Sequence, residues 1–144
     1  MMDAKLRLAF RDPLRVFVRV TPSGFLLDDR TYESLSGKVE RTRLIRKRFE
    51  EGRLVCASSN GTESREGVSC AECNHPRCRP QLRLHLRNLD TIYVLDLPAS
   101  SAKNLLSLED DLIGRGKSLE WTRLRLTVID RGHWGEVCFE ALTE

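Results

Sequence analysis

Residues 56–78 read CASSNGTESREGVSCAECNHPRC, placing Cys56, Cys70, Cys73 and Cys78 in the spacing Cys-x13-Cys-x2-Cys-x4-Cys. The segment is polar, contains glycine and holds too little apolar surface to fold by burial alone. A bound metal supplies what burial cannot. Zn2+ takes four thiolates tetrahedrally, and a Cys-x2-Cys pair lets two sulfurs of one tight turn reach the same ion while Cys56 and Cys78 close the site from either side. A structural zinc on Cys56, Cys70, Cys73 and Cys78 is therefore expected, with His75, two residues after Cys73, as the alternative to Cys78. Two disulfides would suit a secreted chain, but Met1 to Phe10 is charged and lacks the continuous apolar core of a signal peptide, so a cytoplasmic protein is expected. A redox Cys-x2-Cys would leave Cys56 and Cys78 unexplained and has no βαβ pattern around it. Cys138 falls in an apolar alternation and reads as a small sheet residue.

On either side of this segment the chain alternates as strands do. Before it, Arg53–Ala57 reads as a strand that delivers the first thiolate. After it, Gln81–Arg87 sets Leu82, Leu84 and Leu86 toward a core and Arg83, His85 and Arg87 away from it. Asn88-Leu89-Asp90 makes a hairpin connection, and Thr91–Leu97 follows as a strand of β-branched and aromatic character. Pro98 stops it, and Ser100 or Ser101 caps a helix whose Leu105, Leu106, Leu108, Leu112 and Ile113 recur at helical spacing until Gly114 and Gly116. Two strands close the chain, Trp121–Asp130 with Leu124, Leu126 and Val128 against Arg123 and Arg125, and Glu136–Leu142.

Upstream the pattern is weaker. Arg15–Val20 alternates Val16, Val18 and Val20 against Arg15, Phe17 and Arg19, and Thr21–Gly24 turns the chain. Phe25-Leu26-Leu27 is a short strand or a hydrophobic anchor, Asp28–Lys38 reads as loop, and the arginine-rich Val39–Glu51 fits a helix or a strand almost equally. The chain divides into an N-terminal strand and basic segment, residues 1–52, and a body, residues 53–144, whose order is strand, metal loop, strand, strand, helix, strand, strand. The fold class is mainly β with one or two helices. By analogy of element order it is an OB-fold-like five-stranded antiparallel barrel with the zinc loop inserted between the first two strands. A zinc-bearing β-sandwich is the alternative.

The pattern Cys56-Ala57-Ser58-Ser59-Asn60-Gly61, then Cys70-Ala71-Glu72-Cys73 and Cys78, then Leu97-Pro98-Ala99-Ser100-Ser101 leading into a helix, resembles small zinc-containing, OB-type single-stranded-DNA-binding or recombination-accessory proteins of phages and mobile elements. The resemblance covers residues 54–113 and implies DNA binding in replication or recombination, with the cysteines as structural ligands.

The charges are compatible with that. Net charge is only +3 over 144 residues, but basic residues concentrate in Lys38–Arg53 and Arg77–Arg87 while the last third is acidic, so one face can meet a polyanion. Arginines two apart on a strand, ~6.5–7 Å, can follow a phosphodiester backbone. The candidate contacts are Arg19, Arg83, His85, Arg87, Arg123 and Arg125, with Tyr93 and Trp134 for stacking and Phe17 and Trp121 as further aromatics. No phosphate-cradling glycine loop, no His-Glu-x2-His and no nucleophile beside a base occurs, and four thiolates make a closed zinc site, so no enzyme is expected. No run approaches the ~20 apolar residues of a membrane helix. The expected partner is nucleic acid, single-stranded DNA first. The alternative is an adaptor subunit binding protein partners in a larger nucleoprotein complex through its basic segment and acidic C-terminal third.

Overall fold

The computed structural model describes residues 13–51, 53–58 and 78–143, with backbone alone for 48–50. The elements are β1 (Leu14–Thr21), β2 (Gly24–Leu27), β3 (Arg30–Tyr32), β4 (Ser34–Glu50), β5 (Arg53–Ser58), β6 (Cys78–Asn88), β7 (Thr91–Leu97), the helix α1 (Ala99–Gly114), β8 (Arg123–Asp130) and β9 (Gly135–Ala141). Among the described residues the architecture is mainly β with one helix, built on a mixed sheet in the order β3-β2-β1-β7-β6-β4-β8-β9, with β5 added on β4. All pairings are antiparallel except β1 with β7, where Leu14 to Val18 run alongside Thr91 to Leu95. The sheet curls, so that β1 comes into contact with β8 and β9, and β2 with β4 and β8, strands that lie far from them in the pairing order.

The spine of this sheet is β4, 17 residues long, where the sequence suggests loop to Lys38 and leaves the rest undecided between helix and strand. It pairs with β6 along one edge from Lys38 to Arg48, and on the other edge first with β8 (Ser34–Lys38) and then with β5 (Arg46–Glu50). Its alternation is hard to read because a bulge between Val39 and Arg41 resets the side-chain period. Val39 and Leu44 thus fall on the same face although their numbers differ by an odd count. The basic residues are tolerated at the centre of a sheet because one face of β4 is not the core face.

The core lies inside the curl. Val18, Phe25, Leu35, Val39, Leu84, Leu86, Leu95, Leu97, Leu124, Leu126 and Val137 are buried there, and α1 adds Leu105 and Leu112. The alternations of β6 and β8 point inward as read from the sequence. The helix starts two to three residues earlier than expected: Pro98, not Ser100 or Ser101, holds the N-cap position, with no side-chain cap bond. Ser101 is instead fully buried, and its hydroxyl accepts the N–H of Val137 at 2.9 Å, while Asn104 Nδ2 donates to the Val137 carbonyl at 2.9 Å. Both backbone groups of an edge-strand residue are thereby occupied by helix side chains, which blocks that edge to further pairing. At the other end Gly116, at φ +74°, takes the left-handed conformation that turns the chain out of the helix.

Candidate nucleic-acid interface

The face of the sheet that points away from the core is assembled by register. On β6 and β7, Arg83 stands opposite Asp96, His85 opposite Val94 and Arg87 opposite Ile92. On β4, Arg41 stands opposite His85 and Arg43 opposite Arg83. On β1, Arg15 and Phe17 lie beside Ile92 and Val94, with Arg19 one alternation further on. On β8, Arg123 and Arg125 pair with Lys38 and Ser36 of β4. Arginines separated by as much as 110 positions thus share one surface, which rests on buried Ile45, Ile92 and Val94.

Some of these charges are compensated within the face. Arg83 Nε and Nη2 donate to the two oxygens of Asp96 at 2.7 and 3.0 Å, and Lys47 Nζ also donates to Asp96. Burial works to raise the Asp96 carboxyl, but the hydrogen bonds and charges of Arg83 and Lys47 prevail and hold it below the usual carboxylate range. The guanidinium of Arg83 also lies over the ring of Phe17, 5.5 Å from its centroid, a cation–π contact. Arg87 Nη1 donates to Glu40 at 3.2 Å in a part-buried pair, and Arg125 lies 3.9 Å from Glu140 in an exposed one. Arg15, Arg19, Arg41, Arg43 and Arg123 have no carboxylate partner among the described residues.

His85 sits in the middle of these arginines, only 5% exposed, and its Nε2 has no hydrogen-bond partner among the described residues. Burial lowers its pKa, and the charges of Arg41, Arg15, Arg83 and Arg43 lower it further, so the imidazole is neutral at neutral pH.

The aromatic residues are distributed less simply. Phe17 is 66% exposed on β1, at one flank of the cationic face. Tyr93 pairs with Leu86 and Val16 on the opposite face, half-buried against the core, and so does not share a surface with Arg83 or Arg87. Trp134 is exposed in the β8–β9 turn and lines an open cleft with Arg79, Pro80, Gln81 and Pro98 at the start of α1. Trp121 is exposed where the chain enters β8, with its backbone N–H donating to the Val39 carbonyl at 2.6 Å.

Of the proposed zinc ligands, Cys70 and Cys73, like His75, lie outside the described residues. Cys56 and Cys78 are free, half-buried thiols that stand opposite the same residue, Arg48, from the two edges of β4. They are level with each other and share a sheet face, about 10 Å apart at two strand spacings. The ~4 Å between sulfurs of a tetrahedral site is shorter than that, so the strands alone do not complete one.

Sequence reasoning anticipates the outward arginines of β6 and β8 but misses Arg15, Arg41, Arg43 and Lys47 as members of the same surface. The signal lies in the odd-numbered positions from Arg41 to Lys47, which become a stripe once the segment is taken as a strand. No protein-family model, curated protein or solved structure matches this chain.

Proposed function

We propose that this protein binds single-stranded nucleic acid, single-stranded DNA in replication or recombination, along the outer face of β1, β7, β6, β4 and β8. The single observation that carries this reading is the gathering of Arg15, Arg19, Arg41, Arg43 and Arg123 on one surface without carboxylate partners among the described residues, with an exposed Phe17 at its β1 flank. Guanidinium groups in that arrangement supply phosphate contacts, and a ring among them supplies a stacking platform that tolerates any base.

The pairing pattern supports an OB-like barrel in which β4, not β5, plays the first strand. A long strand pairs with both the second (β6) and the fourth (β8), a helix separates the third (β7) from the fourth, and a final hairpin strand (β9) follows. In that reading β5 and the cysteine segment belong to the connection between the first two strands, and β1 lies beside the third. The outer face of the second and third strands is where such folds take oligonucleotides. A structural zinc would be held by Cys56, Cys70, Cys73 and Cys78, whose thiolate chemistry suits it and whose outer two members the register brings level.

A protein-partner reading is favoured by one feature, the exposed Leu106 and Ile113 of α1 beside Asp110 and Asp111. The two are separated by anisotropy titration of a labelled oligothymidylate at several salt concentrations. If five phosphates are engaged, log K falls with log salt at a slope of about −3.5, which is roughly a hundredfold loss over a fourfold rise in salt. Arg41→Ala and Arg123→Ala each flatten that slope by about 0.7. Absence of oligonucleotide affinity at low salt overturns the nucleic-acid reading and leaves the adaptor.

A further inference from the structure

We propose that the outer face contains a phosphate subsite bounded by Arg15, Arg41, Arg43 and Arg83, and that phosphate entering it draws one proton from solvent onto His85 Nε2. The inference rests on this face being the polyanion surface and adds a proton-coupled anchor at its centre. Four arginines from three strands converge on one imidazole, and that imidazole has a buried nitrogen with no partner among the described residues. Buried polar atoms without partners are uncommon, and each asks for an explanation. A nitrogen that is paired only when the ligand is present is one.

The charges fix the direction of the coupling. In the free protein, a positive charge at His85 would repel its own neighbours, Arg83 and Arg87 along β6 and Arg41, Arg43 and Arg15 across it. The carboxylates paired with this face's arginines on β6, Asp96 and Glu40, are already engaged by Arg83 with Lys47 and by Arg87. A bound phosphate offsets the arginines, removes the repulsion, and gives the new Nε2–H an oxygen to donate to. No covalent change is involved: one proton moves from water to imidazole, and it returns when phosphate leaves. Binding is then tighter at acidic pH than at basic pH, and a phosphate held here releases as the medium becomes alkaline.

The test is an NMR titration of the His85 ring in the intact chain, assigned through bonds so that no variant is needed, from about pH 8 to about pH 5. It is run in chloride, in inorganic sulfate at matched ionic strength, and with oligothymidylate. Sulfate is used because it stays doubly charged across that range. The expected result is an upward shift of the His85 midpoint by about 1 unit in sulfate over chloride, and a similar shift with the oligonucleotide. An equal midpoint in sulfate and chloride, with oligonucleotide bound but the midpoint unmoved, overturns the subsite and leaves the nucleic-acid reading intact. A shift in sulfate without any oligonucleotide binding upholds the anion subsite and overturns the nucleic-acid reading. No shift and no binding overturns both.

Discussion

Asp96 is the residue on which the stability and the proposed binding of this protein pull in opposite directions. It is the carboxylate that pairs with Arg83 and Lys47 in a face where Arg15, Arg41 and Arg43 have no carboxylate partner among the described residues, and all three side chains are mostly buried. Removing one member of such a group leaves the others charged and poorly solvated. Asp96→Asn is therefore expected to cost about 2 kcal/mol at neutral pH in urea unfolding. Because the folded-state pKa of Asp96 lies below its unfolded value, the unfolded chain binds the proton more readily, and the carboxylate's contribution is fully present above that unfolded value. It is lost as pH falls through the folded pKa, so the gap between wild type and Asp96→Asn closes in strong acid. The same substitution frees two cations for phosphate and should tighten oligonucleotide binding severalfold. A variant that is as stable as wild type at neutral pH, or that binds more weakly, contradicts this account.

At the scale of the elements, legibility follows the regularity of alternation. β6 and β8 have unbroken period-2 patterns with leucines on one side, and their orientation is plain from sequence. α1 is equally plain, but Ser101 is misread as a cap because a serine near a helix start satisfies the same pattern whether it bonds its own helix or a neighbouring strand. β4 is opaque for two reasons: its bulge breaks the period, and its length is supported by three different partners in turn, none of them adjacent in sequence except β5. One residue of β4 has a role no composition could reveal. At Gly37 an added Cβ would come within 2.6 Å of the Arg87 carbonyl oxygen and 3.0 Å of Leu86 Cγ, where β4 passes between β6 and β8. The neighbours there are backbone and a buried leucine, which cannot swing aside. Gly37→Ala should cost about 2–3 kcal/mol in chemical denaturation, whereas Gly114→Ala, with nothing within 4 Å, should leave stability nearly unchanged. Equal effects of the two would mean that the β4–β6 approach has slack.

The molecule as a whole has a well-buried end and an end that burial does not explain. α1 and the leucines of β6, β7 and β8 fill the inside of the curl, but the far part of β4, with β5 and the start of β6, extends past the core. Leu54 and Val55 of β5 are both 43% exposed, and among the described residues β5 pairs only with β4. A ribbon of this kind is marginal in water when it rests on its ladder alone. Cys56 and Cys78 are located on that ribbon, so an ion shared with Cys70 and Cys73 would tie β5 to β6 across β4 where side-chain burial does not. The sequence suggests the ligands of the proposed zinc but not the mechanical role the ion would have, which depends on long-range register. Metal analysis is expected to give one zinc per chain. Because the ion would brace only one end, stripping it with a chelator or substituting Cys73→Ser should be felt locally. Amide exchange in Arg46–Lys47, Arg53–Ser58 and Cys78–Gln81 should accelerate by orders of magnitude, while Leu84, Leu95, Leu124 and Leu126 keep their protection. Uniform loss of protection would make the metal a condition of the whole fold, and unchanged exchange in the stripped protein would remove zinc from the account of what holds this end together.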